Sequence, residues 1–203
     1  MNYDIFVITR FNIAVHFSEG GENIKKGCDT CVDVEYLSER FRLFEKYTLP
    51  TMKRQTFTDF KWLVLFSDRT PEMFRKKIAA YKKEFSHFEP IYISADEAKL
   101  FNETLAEILK DRMTKELLFS IRLDNDDAVG RHFVEDMVDC AEQNSIEDEA
   151  VLYYKIGVQY NERKNIATRY DYPGNHFTAL VYPIRGGGTG RSFHTITEIS
   201  KSA

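Results

Sequence analysis

The chain alternates short, continuous apolar runs with longer segments in which apolar residues recur every three or four positions. The runs at 5–9, 62–66, 90–94 and 117–123 predict strands that are buried on both faces of a sheet. The helical spacing between them predicts helices that connect and cover these strands. Strands that alternate with helices indicate an α/β fold with a mainly parallel central sheet.

Each connecting helix is predicted from its apolar face. The first carries Leu37, Phe41 and Phe44, and we expect it to end at Pro50, because proline interrupts the helical hydrogen bonds. A capping box at 94–97 predicts the start of another helix. The remaining apolar faces are Phe74, Ile78, Tyr81 and Phe85; Phe101, Leu105 and Ile108; and Val134, Met137, Val138 and Ala141.

The pattern changes after residue 150. Residues 151–156 and 178–182 predict two strands that flank a polar turn at 161–164, which is typical of a small antiparallel part. At the glycine-rich segment 186–192, Arg185 stands where a phosphate-binding loop requires its first glycine, and Arg191 stands where it requires its lysine. We therefore predict a mobile flap there rather than a phosphate loop.

Composition and charge exclude several classes of protein. A chain of 203 residues with 43% hydrophobic and 30% charged residues is typical of one globular domain, and its net charge of −4 disfavours nucleic-acid binding by bulk charge. A membrane-spanning helix needs about 20 consecutive apolar residues, and no stretch of this sequence approaches that length. We therefore expect a cytoplasmic protein. The three cysteines do not resemble a disulfide framework, and the single pair Cys28-x-x-Cys31 lacks a second pair of zinc ligands.

Three carboxylates follow the fourth predicted strand within the four residues 124–127. They repel one another unless a cation or a dense set of donors neutralises them, and Mg²⁺ commonly uses one or two carboxylates together with substrate phosphates. Asp124-x-Asp126 is therefore a candidate metal–diphosphate site. The alternative is a solvated acidic turn that caps the next helix, with Gly130 supplying backbone freedom. An EF-hand is excluded, because Val129 stands where its glycine is required.

Two further charged residues lie near this turn in the predicted sheet. Asp68 follows the second strand and is expected at the same edge as Asp124. Arg122 precedes Asp124 by two positions, and side chains alternate across a strand, so the two should share a direction. Arg122 is thus expected either to bind phosphate or to neutralise Asp124.

Three strand ends carry a shared pattern: Ile8-Thr-Arg-Phe-Asn12, the segment 62–68 and the segment 121–127. Together they resemble the pattern of a rhamnosyltransferase family within the GT-A-like glycosyltransferases. The resemblance covers nearly the whole chain, with further matches at 36–40, 44–47, 49–50, 55–56 and 175–177. It implies a GT-A fold in one domain, 1–203, with a nucleotide-sugar-binding half at 1–145 and an acceptor-side half at 146–203.

The resemblance also implies a metal site. An Asp-x-Asp element would hold Mn²⁺ or Mg²⁺ against the diphosphate of a nucleotide sugar, and a metal there stabilises the charge of the departing diphosphate. Asp126 is the best candidate ligand. Asp124 would coordinate the metal, bind ribose or assist through water, and Asp127 would coordinate or orient a ligand. The third ligand is expected from His194, with His176 as its competitor.

The nucleotide base is expected at the ends of the first two strands. The resemblance assigns Thr9, Arg10 and Asp68 to it by position, although Arg10 could instead form a structural ion pair. An inverting transfer also needs a general base for the acceptor hydroxyl. Asp171, Glu162 and Glu198 are all candidates, and the sequence selects none of them.

The resulting hypothesis is a metal-dependent glycosyltransferase in polysaccharide biosynthesis. It would transfer a sugar from a nucleoside diphosphate sugar to a glycan or other acceptor hydroxyl, including a lipid-linked one. Rhamnose is suggested only by the family. Contact with a membrane surface is expected to be transient at most. Two alternatives are a GT-A-like domain that binds a nucleotide or glycan without turnover, and a Mg²⁺-dependent phosphotransfer enzyme. The second would be expected to carry an intact phosphate-binding loop.

Overall fold

A seven-stranded sheet forms the centre of the molecule. The computed structural model describes residues 2–13, 31–171, 177–183 and, by backbone only, 196–199. Within these residues the strands of the sheet are β1 Tyr3–Arg10, β2 Lys61–Ser67, β3 Phe88–Ile93, β4 Leu117–Arg122, β5 Ala150–Tyr154, β8 Thr178–Pro183 and β9 Ile196–Ile199. Across the sheet they follow the order β3-β2-β1-β4-β8-β5-β9.

The first four strands are all parallel. β1 lies between β2 and β4, and β3 pairs with the outer side of β2. β8 runs antiparallel to β5, as the apolar runs at 151–156 and 178–182 predicted, and it also pairs antiparallel with β4. The expected α/β fold, mainly parallel with a small antiparallel C-terminal part, is confirmed. The carboxyl ends of β1, β2 and β4 therefore meet at one edge of the sheet.

A separate hairpin follows β5 and was not predicted. It consists of β6 Ile156–Asn161 and β7 Ile166–Asp171, which pair antiparallel. All residues of β7 and all of β6 except Gly157 are exposed, so the hairpin shows no buried face that a hydrophobic pattern could reveal. Asn165, in its turn, has a φ of 53°, which asparagine tolerates better than most residues.

The first helix runs through the proline that was expected to end it. Helix α1 Val34–Leu43 continues through a π-helical segment Phe44–Thr48 into α2 Leu49–Met52. The N–H of Leu49 donates to the carbonyl of Phe44, five residues earlier. Pro50 then lies in the first turn of α2, where its missing N–H removes no helical bond. The prediction that Pro50 ends this helix is wrong for that reason.

The other helices lie between the strands as predicted. They are α3 Glu72–Glu84, α4 Ala95–Lys99, α5 Phe101–Lys110 and α6 Phe133–Gln143. The capping box at the start of α4 is confirmed, since Ser94 and Glu97 satisfy each other's backbone donors. The single helix expected after it is divided into α4 and α5 at Leu100.

The largest core cluster lies on the sheet face that α1, α3 and α6 cover. The rings of Phe41 and Phe74 stack with centroids 4.8 Å apart, and the Phe44 and Trp62 ring centroids are 5.5 Å apart. Trp62 is completely buried. Smaller clusters on the opposite face involve α4 and α5, so helices cover both faces of β1 and β2. Close packing on both faces holds the carboxyl ends of these strands in place.

Candidate functional site

The acidic turn directly extends β4 and is tied to the end of β1. The N–H of Leu123 donates to the carbonyl of Ile8 at 3.0 Å, which continues the pairing of the two strands. The side-chain amide of Asn125 is only 3% exposed and donates to the carbonyl of Phe11 at 2.7 Å. The N–H of Asp127 donates to the carbonyl of Asp124 at 3.4 Å and closes the turn. The carboxylates are thus carried by an anchored backbone.

Arg122 and Asp124 point to the same side, as the alternation of strand side chains predicted. Arg122 Nη2 lies 3.1 Å from Asp124 Oδ2, and its Nε lies 3.4 Å from Oδ1. The side chains are 48% and 34% exposed, so this ion pair faces solvent at the sheet edge. The contact shows neutralisation of Asp124, and the exposure leaves the guanidinium accessible to an anion.

Arg10 belongs to the same group of charges. Its guanidinium lies 5.8 Å from the ring centroid of Phe101 in α5. Burial lowers the pKa of Arg10, and the neighbouring positive charge of Arg122 lowers it further, while Asp124 raises it. Two guanidinium groups and one carboxylate therefore interact at the carboxyl ends of β1 and β4.

Asp126 lies against a different arginine, one that the sequence analysis did not select. Arg40 of α1 places Nη1 3.1 Å from Asp126 Oδ2 and Nη2 3.0 Å from Oδ1. The same Nη2 also donates to the side-chain carbonyl of Asn125. Asp124 and Asp126 are thus each paired with their own arginine. The signal for Arg40 was its place in a segment that matches the family, which gave it no role.

The residues expected to hold the nucleotide base lie at the predicted edge but differ in accessibility. Thr9 is completely buried, and its hydroxyl accepts a hydrogen bond from Trp62 Nε1 at 2.9 Å. Asp68 is exposed just beyond β2, and its N–H donates to the carbonyl of Ile93 at 2.9 Å. Thr9 and Arg10 are consecutive, so their side chains lie on opposite faces of β1. Binding roles for these residues stay predictions, and the Thr9 hydroxyl already has a partner in the core.

The donor chemistry of the acidic turn fits a hard divalent cation. Asp124 and Asp126 offer carboxylate oxygens on side chains that are 34% and 40% exposed, and such oxygens suit Mg²⁺ or Mn²⁺. Among the residues that the structure describes, no group of three or more His, Cys, Asp or Glu side chains is arranged around a common point for a metal. His194 and His176 lie outside the described residues. Any third ligand is therefore still a prediction.

Comparison with known proteins identifies the family. The model for a family described as "Putative rhamnosyl transferase" matches residues 4–189. The chain belongs to this family.

The solved structures that this rhamnosyl transferase family member is similar to include those of S. aureus TarS. The crystal structure of TarS 1-349 is 14% identical with a TM-score of 0.46, and the alignment covers 76% of this chain and 36% of that one. The crystal structure of S. aureus TarS is 13% identical with a TM-score of 0.43, and the alignment covers 77% of this chain and 22% of that one. The structure of TarS 1-349 in complex with UDP is 14% identical with a TM-score of 0.44, and the alignment covers 76% of this chain and 36% of that one. The chain thus spans about a third or less of each.

No curated protein matches this chain. No helix in the described part of the chain has the length and apolar character to cross a membrane.

One candidate for the general base of this family member is engaged elsewhere. Glu162, in the turn of the β6–β7 hairpin, accepts hydrogen bonds from Arg42 at 2.8 Å, Lys46 at 2.5 Å and Tyr47 at 3.0 Å. These three donors lower the pKa of Glu162 to about 2. A carboxylate of such low basicity is poorly suited to remove a proton. Of the other candidates, Asp171 is exposed at the end of β7, and the side chain of Glu198 lies outside the description.

A buried glutamine supports the loop between the acidic turn and α6. Gln55 is 8% exposed, and its Nε2 donates to the carbonyl of Gly130 at 2.8 Å. Its Oε1 accepts from the N–H of Val134 at 3.0 Å, while the N–H of Thr56 donates to the carbonyl of Arg131 at 2.9 Å. The dipeptide at 55–56 matched the family without any assigned role. The structure assigns it the support of this loop.

Proposed function

We propose that this chain catalyses glycosyl transfer from a nucleoside diphosphate sugar to an acceptor hydroxyl. One observation carries the proposal beyond the family: Arg10, Arg122 and the acidic turn meet at the carboxyl ends of adjacent parallel strands. Ligands of open α/β sheets bind in the crevice outside these ends. The chemistry at this edge suits a diphosphate together with a cation.

Arg10 and Arg122 would bind the diphosphate. The guanidinium group presents a planar fork of donors that matches phosphate oxygens and stays charged at physiological pH. Asp124 lies beside Arg122 and influences Arg10 electrostatically, and a diphosphate would supply the further negative charge that two guanidinium groups bind well. Asp68, at the neighbouring strand end, would contact the nucleoside.

A Mn²⁺ or Mg²⁺ ion would be held by Asp124 and Asp126, with His194 as the third proposed ligand. Such an ion supplies Lewis-acid stabilisation of the negative charge that develops on the leaving diphosphate. Asp127 would orient the turn around it. The remaining chemistry is removal of the acceptor proton, for which Asp171 and Glu198 stay as candidates. Rhamnose is the sugar that the family description suggests, and a glycan or lipid-linked hydroxyl is the proposed acceptor.

The test combines nucleotide binding with donor turnover. Melting temperatures are measured with several nucleoside diphosphates, among them the UDP of the TarS complex, with and without Mn²⁺. A ligand at about 100 times its Kd stabilises the folded state by about 2.7 kcal/mol, so the effective nucleotide should stand out. Release of nucleoside diphosphate from the matching nucleotide sugar then measures turnover.

The matched variants are Asp124→Asn and Asp139→Asn. Asp139 is an exposed carboxylate on α6, away from the strand ends. We expect the metal-dependent shift and the turnover to be lost in Asp124→Asn and kept in Asp139→Asn. If no nucleoside diphosphate stabilises the folded wild-type protein, the proposal is wrong.

A second candidate is a domain that binds a nucleotide or glycan without turnover. The low basicity of Glu162 and its three hydrogen-bonding partners favour it, because they remove one of the three base candidates. This candidate predicts a nucleotide-dependent rise in melting temperature without consumption of any nucleotide sugar. The same experiment therefore separates the two functions.

A further inference from the structure

The guanidinium of Arg40 lies against the carboxylate of Asp126, which a cation would need as a ligand. Its Nη1 donates to Asp126 Oδ2 at 3.1 Å, and its Nη2 lies 3.0 Å from Asp126 Oδ1. A charge-assisted hydrogen bond of this kind is stronger than a neutral one. The Arg40 side chain is 23% exposed and that of Asp126 is 40% exposed, so water screens the pair only partly.

Arg40 is held in place from its other side. Its Nη2 also donates to Asn125, whose own amide is bonded to the carbonyl of Phe11 at 2.7 Å. The Nε atom of Arg40 is buried and makes no hydrogen bond within the described residues. The guanidinium is thus anchored on a 3% exposed asparagine, and Asp126 is its more exposed partner.

We propose that Arg40 competes directly with a divalent cation for Asp126 and keeps the acidic turn neutralised when no cation is bound. A cation needs the same oxygens at about 2.0–2.2 Å, and its charge repels a guanidinium that already lies against them. Arg40 and the cation cannot both use the Asp126 carboxylate in this arrangement. This inference rests on the metal site of the proposed function and adds a residue that weakens metal binding.

Arg40 and Arg122 differ in how firmly each is held against its carboxylate at the acidic turn. Arg122 reaches Asp124 through contacts of 3.1 to 3.4 Å and is 48% exposed, so it is the more weakly held of the two. It also precedes Asp124 by only two residues, whereas Arg40 comes from α1, 86 positions from Asp126. The competition is therefore expected chiefly at Asp126, and it links cation binding to the contact between α1 and the acidic turn.

The experiment measures binding of Mn²⁺ alone by calorimetry and by the spin-resonance signal of free Mn²⁺. Arg40→Gln removes the charge but keeps a donor for Asn125. We expect its Kd for Mn²⁺ to fall about fivefold below wild type, as an ion pair of about 1 kcal/mol predicts. Adding Asp126→Asn to Arg40→Gln should abolish the gain, because the released carboxylate is then absent.

The control is Arg42→Gln, which removes an arginine two positions away that pairs with Glu39 and Glu162 instead. Its Mn²⁺ affinity should equal that of wild type.

Arg40→Lys keeps the positive charge and loses the planar guanidinium, so it should give a smaller gain in Mn²⁺ affinity than Arg40→Gln. If Arg40→Gln does not fold, Arg40→Lys is the variant that tests the competition. Equal Mn²⁺ binding by wild type and the Arg40 variants overturns this inference alone. Absence of Mn²⁺ binding in all variants overturns the metal site of the proposed function as well, and nucleotide binding without metal is then measured separately.

Discussion

The parallel half of the sheet and the β6–β7 hairpin are stabilised in opposite ways. Residues 62–66 of β2 are completely buried, and the Trp62 ring lies beside the rings of Phe44, Phe85 and Phe88. The hairpin exposes nearly every residue, including Val158, which is 69% exposed. Glu162, in the turn of the hairpin, forms ion pairs with Arg42 of α1 and Lys46 of the π-helical segment, and these join the hairpin to the rest of the molecule. The first region depends on apolar packing and the second on exposed charges.

The largest expected difference comes from truncating one apolar side chain in each region. Trp62→Ala should lower the free energy of unfolding by about 3–5 kcal/mol, because it leaves a cavity and removes the donor to Thr9. Val158→Ala should change it by less than about 0.5 kcal/mol, since the side chain already faces water. Urea unfolding monitored by circular dichroism measures both. Similar losses for the two variants would contradict the contrast between the regions.

A second pair of variants compares the same side chain in two settings. Gln55→Ala should lower the free energy of unfolding by about 1–3 kcal/mol, because the N–H of Val134 loses its acceptor in a buried site. Gln159→Ala, at an exposed position of β6, is the matched control and should have little effect.

Hydrogen exchange adds a local measurement to this comparison. In Gln55→Ala the amides at 130–134 should exchange faster, while those of the hairpin should keep the wild-type rate. Unchanged exchange at 130–134 would mean that Gln55 does not support the loop before α6.

The smallest effect is expected for Glu162, and it should depend on pH. Hydrogen bonds from Arg42, Lys46 and Tyr47 lower its pKa to about 2, whereas an unfolded glutamate titrates near pH 4.3. A carboxylate with a lowered pKa stabilises the folded state above its unfolded pKa, and that contribution is lost as the pH falls from about 4 towards 2. Protection of the hairpin amides should therefore decrease through this window in wild type.

In Glu162→Gln the hairpin protection should be lower at neutral pH and should not change between pH 4 and 2. Glu103→Gln, at an exposed position of α5, should behave as wild type. A hairpin whose protection is independent of pH in wild type would show that the charges of its turn do not hold it.

The predictability of each region follows from where its stabilising contacts come from. The apolar faces of α3 and α6 were correctly predicted, because each buries residues at helical spacing against a sheet. The hairpin was missed because its residues have no buried side to impose a period. The helix end predicted at Pro50 was wrong because a π-helical segment, which propensity alone does not indicate, places this proline in a first turn.

At the candidate site, sequence reasoning found the carboxylates but not their partners. The pairing of Arg122 with Asp124 could be predicted, since both lie on one strand and its continuation. The pairing of Arg40 with Asp126 could not, because it joins residues 86 positions apart through the docking of α1. Likewise Thr9 was placed at the correct strand end, but the burial of its hydroxyl against Trp62 depends on the core.

The sequence by itself determined the parallel sheet, the family and the position of the acidic turn, because local hydrophobic periods and strand-end residues are properties of short segments. The tertiary structure alone decided which charge neutralises each carboxylate, which candidate base is engaged by other residues and where the hairpin attaches. Those outcomes depend on distances between segments far apart in the chain, and such distances exist only once the helices have packed on the sheet.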